Sequence, residues 1–307
     1  MKRNETANIV FATDRNYIQH LCAALISLLA NNRELSLTIT IISSGITARQ
    51  RRIIETIAKP FDCSISHITI SDQLFIELAT EHSMYPKGIY YRLLIPDLID
   101  AGKLLYLDCD IIVNGSIREL YYQDLGDTYV CAIEDPGFNR QEQLGMHKDA
   151  KYFNSGMMLI NLAKWKETSL HKQVIDFIEK NPEAVWFPDQ CGLNAIINGR
   201  WKKTPLKFNQ QSSIFSDNFE QQFDCFDTDE LREAKNNPVI IHYTGGSKPW
   251  HSKNRHPYKH LYWHYLRMTP YRFAIYEDLR PVNILKAMVP TEMKMAIKQQ
   301  LKNLTHN

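Results

Sequence analysis

Lys103-Leu-Leu-Tyr-Leu-Asp108-Cys-Asp110-Ile-Ile-Val113 is the stretch that decides the fold. Leu104 to Leu107 form an apolar run with no alternation, the pattern of a strand buried on both faces of a sheet. The chain then places two carboxylates two residues apart, and in extended backbone such residues share a face. Ile111-Ile112-Val113 resume the apolar run. An acidic pair inside an eleven-residue segment that is otherwise almost entirely apolar is hard to explain as surface, because unpaired buried charges are strongly disfavoured.

Upstream, strands and helices alternate. Asn8 to Ala12 reads as a short strand ending at Thr13-Asp14. Tyr17 to Leu29 has helical spacing, with Leu21, Leu25, Leu28 and Leu29 on one side. Leu37 to Ile42 is a β-branched strand, and Thr47 to Ala58 a basic amphipathic helix capped by Thr47. Cys63 to Ile70 alternates as a strand, whereas Tyr90 to Leu98 reads as a helix that Pro96 interrupts. This order predicts a Rossmann-like α/β fold, a mostly parallel sheet flanked by helices. Ligands in such sheets sit at the carboxyl ends of strands. Asp14 and the Asp108/Asp110 pair both fall there.

Downstream, Val130 to Ile133 and Met157 to Ile160 read as strands, and Leu170 to Glu179 and Gln190 to Ile197 as helices. Val239 to Tyr243 is a last short strand. The chain has 307 residues, 44% hydrophobic and 23% charged, enough for a core that carries a buried polar site without disulfides. The six cysteines form no CxxC pair and read as reduced small hydrophobes rather than zinc ligands.

A divalent cation between Asp108 and Asp110 relieves their repulsion. Mn²⁺, or Mg²⁺, takes oxygen ligands, also binds phosphate oxygens, and acts as a Lewis acid on a departing phosphate. The alternative is a polar loop with two solvated acids. His242 lies between Ile240-Ile241 and Tyr243, and a lone strand histidine is more often core than ligand. Thr244-Gly-Gly-Ser-Lys248-Pro-Trp250 follows it, with glycines that let backbone approach a phosphate and a lysine to supply charge. GxxxxGK[ST] is absent, so this is not a Walker loop.

Six stretches in order carry a family resemblance: Ile9-Val-Phe-Ala-Thr-Asp-Arg-Asn-Tyr17, Tyr91-Arg-Leu93, Leu105-Tyr-Leu-Asp-Cys-Asp110, Phe153-Asn-Ser-Gly156 with Ile160-Asn-Leu162, Pro188-Asp-Gln190, and His242 to His251. Together they resemble family 8 of the retaining glycosyltransferases, which have a GT-A fold, and most of all the bacterial lipopolysaccharide-type galactosyl- and glucosyltransferases. The resemblance implies transfer of a hexose from UDP-galactose or UDP-glucose to a glycan or glycolipid hydroxyl, with an α-linked product. It implies that Asp108, Asp110 and His242 hold Mn²⁺. Ala12, Asp14, Asn16 and Tyr17 would form the uridine pocket, with Cys109, Gly245 and Lys248 also on the nucleotide. Arg92, Asn154, Ser155, Asp189 and Gln190 would surround the donor sugar, with Gln190 and Asp189 as the catalytic candidates. Arg92 could instead pair structurally with Asp97 or Asp189, and Asn154-Ser155-Gly156 could be a turn. Trp165, Trp186 and Trp201 read as core or acceptor-wall aromatics. Cys191 departs from the acidic residue common after the Asp-Gln pair, at a position that tends to face sugar or acceptor.

The chain divides by composition into a catalytic unit, residues 1–265, and a basic, aromatic tail, 266–307. His251 to Asn307 carries ten Lys/Arg against three Asp/Glu, on a body with an acidic surplus. Pro290 to Lys302 has helical spacing, with Met293, Ile297 and Leu301 beside Lys294, Lys298 and Lys302. This predicts an interfacial helix on an anionic membrane, with a solvated terminal helix as the alternative. No nucleic-acid reader motif is present. No apolar leader follows Lys2-Arg3, and the run Leu21 to Ala30 is shorter than the about 20 residues a spanning helix needs. The expectation is a cytoplasmic protein, peripheral on the inner face of the membrane. Two other readings compete. A nucleotidyltransferase making NDP-sugars needs glycines after the first strand, and Thr13-Asp14-Arg15-Asn16 has none. An inactive nucleotide-sugar-binding module is disfavoured by the intact acid pair, His242 and Lys248.

Overall fold

The computed structural model describes residues 6–78 and 87–281. Its strands are β1 Ala7–Asp14, β2 Leu37–Ser44, β3 Cys63–Thr69, β4 Lys103–Leu107, β5 Ile111–Val113, β6 Val130–Glu134, β7 Phe153–Asn161, β8 Lys202–Lys203, β9 Gln210–Gln211 and β10 Ile240–His242. The helices are α1 Ile18–Ala30, α2 Ala48–Ala58, α3 Asp72–Leu78, α4 Ile95–Leu98, α5 Arg118–Tyr121, α6 Leu162–Glu167, α7 Leu170–Lys180, α8 Pro188–Ile197, α9 Phe219–Gln222, α10 Thr228–Asn236 and α11 Lys259–Arg267.

Seven strands form one sheet in the order β3-β2-β1-β4-β7-β6-β8. β1 pairs in parallel with β2 and β4, and β2 with β3, whereas β7 runs antiparallel to β4 and β6. Alternate residues of the central strands feed two cores. Ile9, Phe11, Leu105 and Leu107 pack with Leu21, Leu25 and Leu28 of α1. Val10, Leu104 and Tyr106 face the other way, with Trp165 and with Val174, Ile178 and Leu193 of α7 and α8. Gly192 lets α8 sit close on α7: a Cβ there would fall 2.9 Å from the Val174 and Ile178 side chains. That docking fixes the helix whose first turn holds Asp189 and Gln190.

Three features differ from the expected pattern. Positions 90–98 form no single helix; a 3₁₀ turn at Lys87–Ile89 leads through turns to α4. Pro96 stands in the first turn of α4, where its missing N–H costs nothing, so it opens that helix instead of breaking one. β7 starts at Phe153, so Asn154-Ser155-Gly156 is strand and not a turn. The last strand, β10, is not on the main sheet. It pairs with β5 and β9 in a separate three-stranded sheet.

The described residues after 265 lie on the body. α11 runs through 266, and Tyr271, Ala274 and Tyr276 pack against the α1 core. The Glu277 amide donates to the Trp250 carbonyl at 2.9 Å, and Asp278 accepts from the Ser252 amide at 2.8 Å. The expected helix at Pro290 to Lys302 lies outside the described residues. Among the described residues, no helix is long and apolar enough to cross a membrane.

Candidate functional site

β4 ends at Leu107 and β5 begins at Ile111, so Asp108-Cys109-Asp110 is where the chain passes from the large sheet to the small one. Both sheets grip this crossing. The Asp108 amide donates to the Gly156 carbonyl at 2.8 Å, and the Tyr243 amide to the Asp110 carbonyl at 3.0 Å. His242 pairs in register with Ile111. Residues far apart in sequence therefore converge: one ligand atom each from Asp108, Asp110 and His242 lie within 4.8 Å of one another.

Several polar groups around this triad are held by bonds that orient it, although Arg92 Nε is buried without a hydrogen-bond partner among the described residues. Asp108 Oδ1 accepts from Tyr106 Oη and from Arg92 Nη2, both at 2.8 Å. Arg92 Nη1 reaches Asp189 Oδ2 at 3.0 Å and the Ser155 carbonyl at 3.0 Å. Lys248 Nζ donates to Asp110 Oδ2 and to the Tyr243 carbonyl. His242 Nδ1 lies 2.9 Å from Asn209 Oδ1, an oxygen that only accepts, so the proton sits on Nδ1 and leaves Nε2 with a free lone pair. Asn209 Nδ2 in turn donates to Asn154 Oδ1 at 3.0 Å. Gln190 Oε1 accepts from the Ser155 amide at 2.9 Å, and its Nε2 donates to Asp135 Oδ2 at 3.0 Å.

Asp108, Asp110, Asp135, Asp189, Arg92 and Lys248 line one cleft of about 250 Å³, with Asn154, Ser155, Gly156, Phe187, Gln190, His242, Thr244 and Gly245. Four carboxylates face two cations, a surplus of two negative charges with His242 neutral. Burial raises the Asp108 carboxyl above the ordinary range even with Arg92 beside it. Burial also acts to raise Asp110, but the charge that His242 carries when it is protonated, together with Lys248, outweighs it and holds that carboxyl well below the range. Arg92 stays charged: burial acts to lower it, and Asp108 and Asp189 more than offset this.

The donor set fits a divalent cation. Two carboxylates and an imidazole suit Mn²⁺, and the charge surplus equals its charge. Gly156 provides the room. A Cβ at this position would lie 2.2 Å from His242 Cε1 and 2.7 Å from Asp108 Oδ2. Gly245 has φ +79°, a left-handed conformation that glycine adopts without strain, and brings bare backbone to the cleft wall.

Ala12, Asp14, Asn16 and Tyr17 do not line this cleft; they lie beyond Cys109. The Cys109 thiol donates to the Ala12 carbonyl at 3.4 Å. It is 7% exposed and burial pushes its pKa up, so the side chain faces inward. Asp14 Oδ1 closes the turn that precedes α1, accepting from the Asn16 amide at 2.7 Å and the Tyr17 amide at 3.3 Å. Tyr17 is 43% exposed, and burial together with the Asp110 charge raises its phenol pKa.

Two readings are corrected here. Cys191 does not face the cleft: it is fully buried, with Sγ 3.2 Å from Tyr152 Oη behind α8. The turn of α8 that presents Gln190 rotates the next residue into the core. Asp97 is not the partner of Arg92; it pairs with His171 Nε2 at 3.0 Å. Trp165 is wholly core, whereas Trp186 is exposed. Sequence reasoning did not single out Asp135, Asn209, Tyr106, Thr244 or Phe187. Asp135 follows a strand end and could have been weighed as Asp108 was. Asn209 carries no local signal.

The family model for glycosyl transferase family 8 matches residues 8–254. The chain belongs to glycosyltransferase family 8. It is 32% identical to general stress protein A of Bacillus subtilis over 88% of this chain and 96% of that protein. It is 28% identical to a lipopolysaccharide 1,2-glucosyltransferase of Escherichia coli, over 90% and 83% of the two chains. The solved structure of the galactosyltransferase LgtC with donor and acceptor sugar analogues superposes with a TM-score of 0.73 at 24% identity, covering 94% of this chain and 99% of that one. The glycosyltransferase therefore has the GT-A fold, with its seven-stranded sheet and flanking helices.

Proposed function

We propose that this glycosyltransferase moves a hexose, galactose or glucose, from a UDP-sugar to a saccharide hydroxyl with retention of configuration, in lipopolysaccharide or other surface-glycan synthesis. The observation that carries the reading is the convergence of Asp108, Asp110 and His242 beside Lys248 in a cleft with two surplus negative charges. The biosynthetic setting rests on the name of the Escherichia coli relative.

Asp108, Asp110 and His242 would hold Mn²⁺ or Mg²⁺, which when bound neutralises charge on the diphosphate. Lys248 and the Gly245 backbone would grip the same diphosphate. Ala12, Asp14, Asn16 and Tyr17 would take the uridine, with the exposed Tyr17 ring available to stack on the base. Arg92, Asn154, Ser155 and Asp189 would position the sugar. In the transfer, the bond from the anomeric carbon to the diphosphate oxygen breaks and the bond to the acceptor oxygen forms on the same face. The acceptor proton leaves to the departing phosphate. Gln190 Oε1 would oppose the positive charge that develops on the sugar ring. Asp189 is tied to Arg92 and Ser155, which suits a positioning group better than a nucleophile.

UDP release from UDP-galactose and UDP-glucose, followed with Mn²⁺ and then with excess EDTA, tests this reading. Turnover should vanish in chelator and return with added Mn²⁺, and Asp110→Ala should lose about a hundred- to a thousandfold, in line with the loss of one preorganised charge-stabilising group. Full turnover in chelator removes the metal from the account.

A further inference from the structure

Five side chains close a ring of polar contacts next to Tyr17. Arg280 Nη2 donates to Gln19 Oε1 at 3.1 Å, and Gln19 Nε2 donates to Tyr262 Oη at 3.2 Å. The phenol's own proton is then free for His20 Nδ1, 2.8 Å away. His20 carries its proton on Nε2, which faces Glu277 Oε1 at 3.5 Å, and the same Glu277 oxygen meets Arg280 Nη2 at 3.2 Å. The ring joins the first turn of α1, α11 and the chain just after Tyr276. Gln19, His20 and Tyr262 are buried. A paired polar network in such a place holds one arrangement, where apolar packing tolerates several.

His20 touches both the base side and the diphosphate side of the nucleotide site. Its ring stacks on Trp250 with centroids 3.5 Å apart, and Trp250 stands two residues after Lys248. Tyr17 meets the same imidazole edge-on at 5.1 Å. The backbone beside Lys248 is held by the same elements. The Trp250 carbonyl accepts from the Glu277 amide at 2.9 Å, and Trp263 Nε1 donates to the Pro249 carbonyl at 3.0 Å. We propose that the ring sets the position of Tyr17 relative to Lys248, and that Glu277 and Arg280 are positioning residues for the UDP part of the donor. The inference rests on the UDP-sugar reading of the cleft. UDP has to meet a base contact and a diphosphate contact at once, and these come from opposite ends of the chain. A site whose two sides are already fixed spares the complex the cost of ordering them. Glu277 and Arg280 act through His20 and Trp250, not by contact with the ligand.

The test compares two ligands by calorimetry on the full chain with Mg²⁺ present. UDP spans both sides of the site, whereas inorganic pyrophosphate reaches only the Lys248 side. The variants are Glu277→Gln and Arg280→Ala, at side chains that are partly exposed, so the fold should survive both. Each should raise the UDP dissociation constant about threefold or more, within the range that linked sites reach, and leave the pyrophosphate constant within about twofold of wild type. In turnover the donor KM should rise while the acceptor KM holds, a split that general loosening of the fold would not produce. A smaller rise for UDP in either variant overturns the proposal. So does a loss for pyrophosphate that matches the loss for UDP, since the ring would then serve the Lys248 loop or the fold alone. A wild-type chain that binds no UDP overturns the donor reading instead, so the two fail separately.

Discussion

Asn209 is wholly buried, and its amide bonds to two side chains: the oxygen receives His242 and the nitrogen gives to Asn154. It fixes the His242 ring in the tautomer that leaves Nε2 for a cation. Partners of this kind set the orientation of metal ligands, and their loss typically costs about 10- to 100-fold in affinity. Asn209→Ala should weaken Mn²⁺ binding by that factor, read from the free-Mn²⁺ signal in electron paramagnetic resonance with UDP present. Unchanged affinity would mean that Asn209 serves only the fold. Gly156→Ala should act more bluntly. The new Cβ displaces the His242 ring, so Mn²⁺ binding should disappear, with about 1–3 kcal/mol of stability lost to overpacking. At this scale the sequence was readable where local context speaks. Two acids inside an apolar run cannot hide. Asn209 lies in Leu206-Lys-Phe-Asn209-Gln-Gln211, where nothing marks it, because its importance comes from two strands distant in sequence. Cys191 misled for a related reason: a helix turns by about 100° per residue, so standing next to Gln190 does not mean facing the same way.

The stretch between β10 and α11 carries both Lys248 and the contacts that hold it in place. Trp250 stacks on His20 of α1 at 3.5 Å, and Lys259 Nζ caps the carbonyls of His251 and Ser252 at 2.8 and 2.9 Å. His256 fills the centre of this segment, edge-on to Tyr243 at 4.8 Å and Phe215 at 5.1 Å. Its Nδ1 accepts from the Tyr258 amide, and its buried Nε2 meets no hydrogen-bond partner. Burial alone lowers its pKa to about 4, from about 6.5 in the unfolded chain. A lowered folded pKa means that the unfolded chain binds the proton better. The contribution of His256 to stability is therefore whole above pH 6.5 and is lost as pH falls toward 4. His20 is lowered in the same direction, first by burial. Thermal unfolding between pH 7.5 and 5 should show the melting temperature falling on acidification, and His256→Phe should flatten that slope. An equal slope in the variant would place the acid sensitivity elsewhere. None of this segment's packing was legible beyond the glycines and Lys248, since its partners belong to α1 and to residues 212–215. The parallel strands, by contrast, were readable, because apolar runs alternating with helical segments repeat along the chain.

Among the described residues, four of the eight large apolar side chains that are exposed fall in the basic C-terminal region. His251 to Asn307 holds ten Lys/Arg against three Asp/Glu, while the rest of the chain is acidic. In the described part of that region Met268, Phe273, Ile275 and Leu279 are exposed, Phe273 at 82%, and an open groove of about 690 Å³ runs between Trp263, Arg267 and Ile275. Isolated exposed apolar residues are ordinary, whereas a contiguous apolar patch on a basic segment would mark a contact surface. The four side chains and the basic charge support the proposed attachment to an anionic membrane, in which cationic groups supply long-range attraction and inserted side chains supply the residence time. Removal of 266–307 is too coarse a test, because Tyr271, Tyr276 and Glu277 belong to the packed body. Truncation after Pro281 leaves those contacts whole. In vesicle flotation the full chain should bind phosphatidylglycerol-containing vesicles and not pure phosphatidylcholine, and 0.5 M salt should weaken it, as the screening length falls well below its value of about 10 Å at 0.1 M. The truncated chain should lose most of that binding yet keep UDP release on soluble acceptors, and Phe273→Ser in the full chain should lose part of it. If the truncated chain floats as well as the full one, residues 282–307 are not the attachment. If Phe273→Ser also floats normally, the exposed apolar residues have another partner.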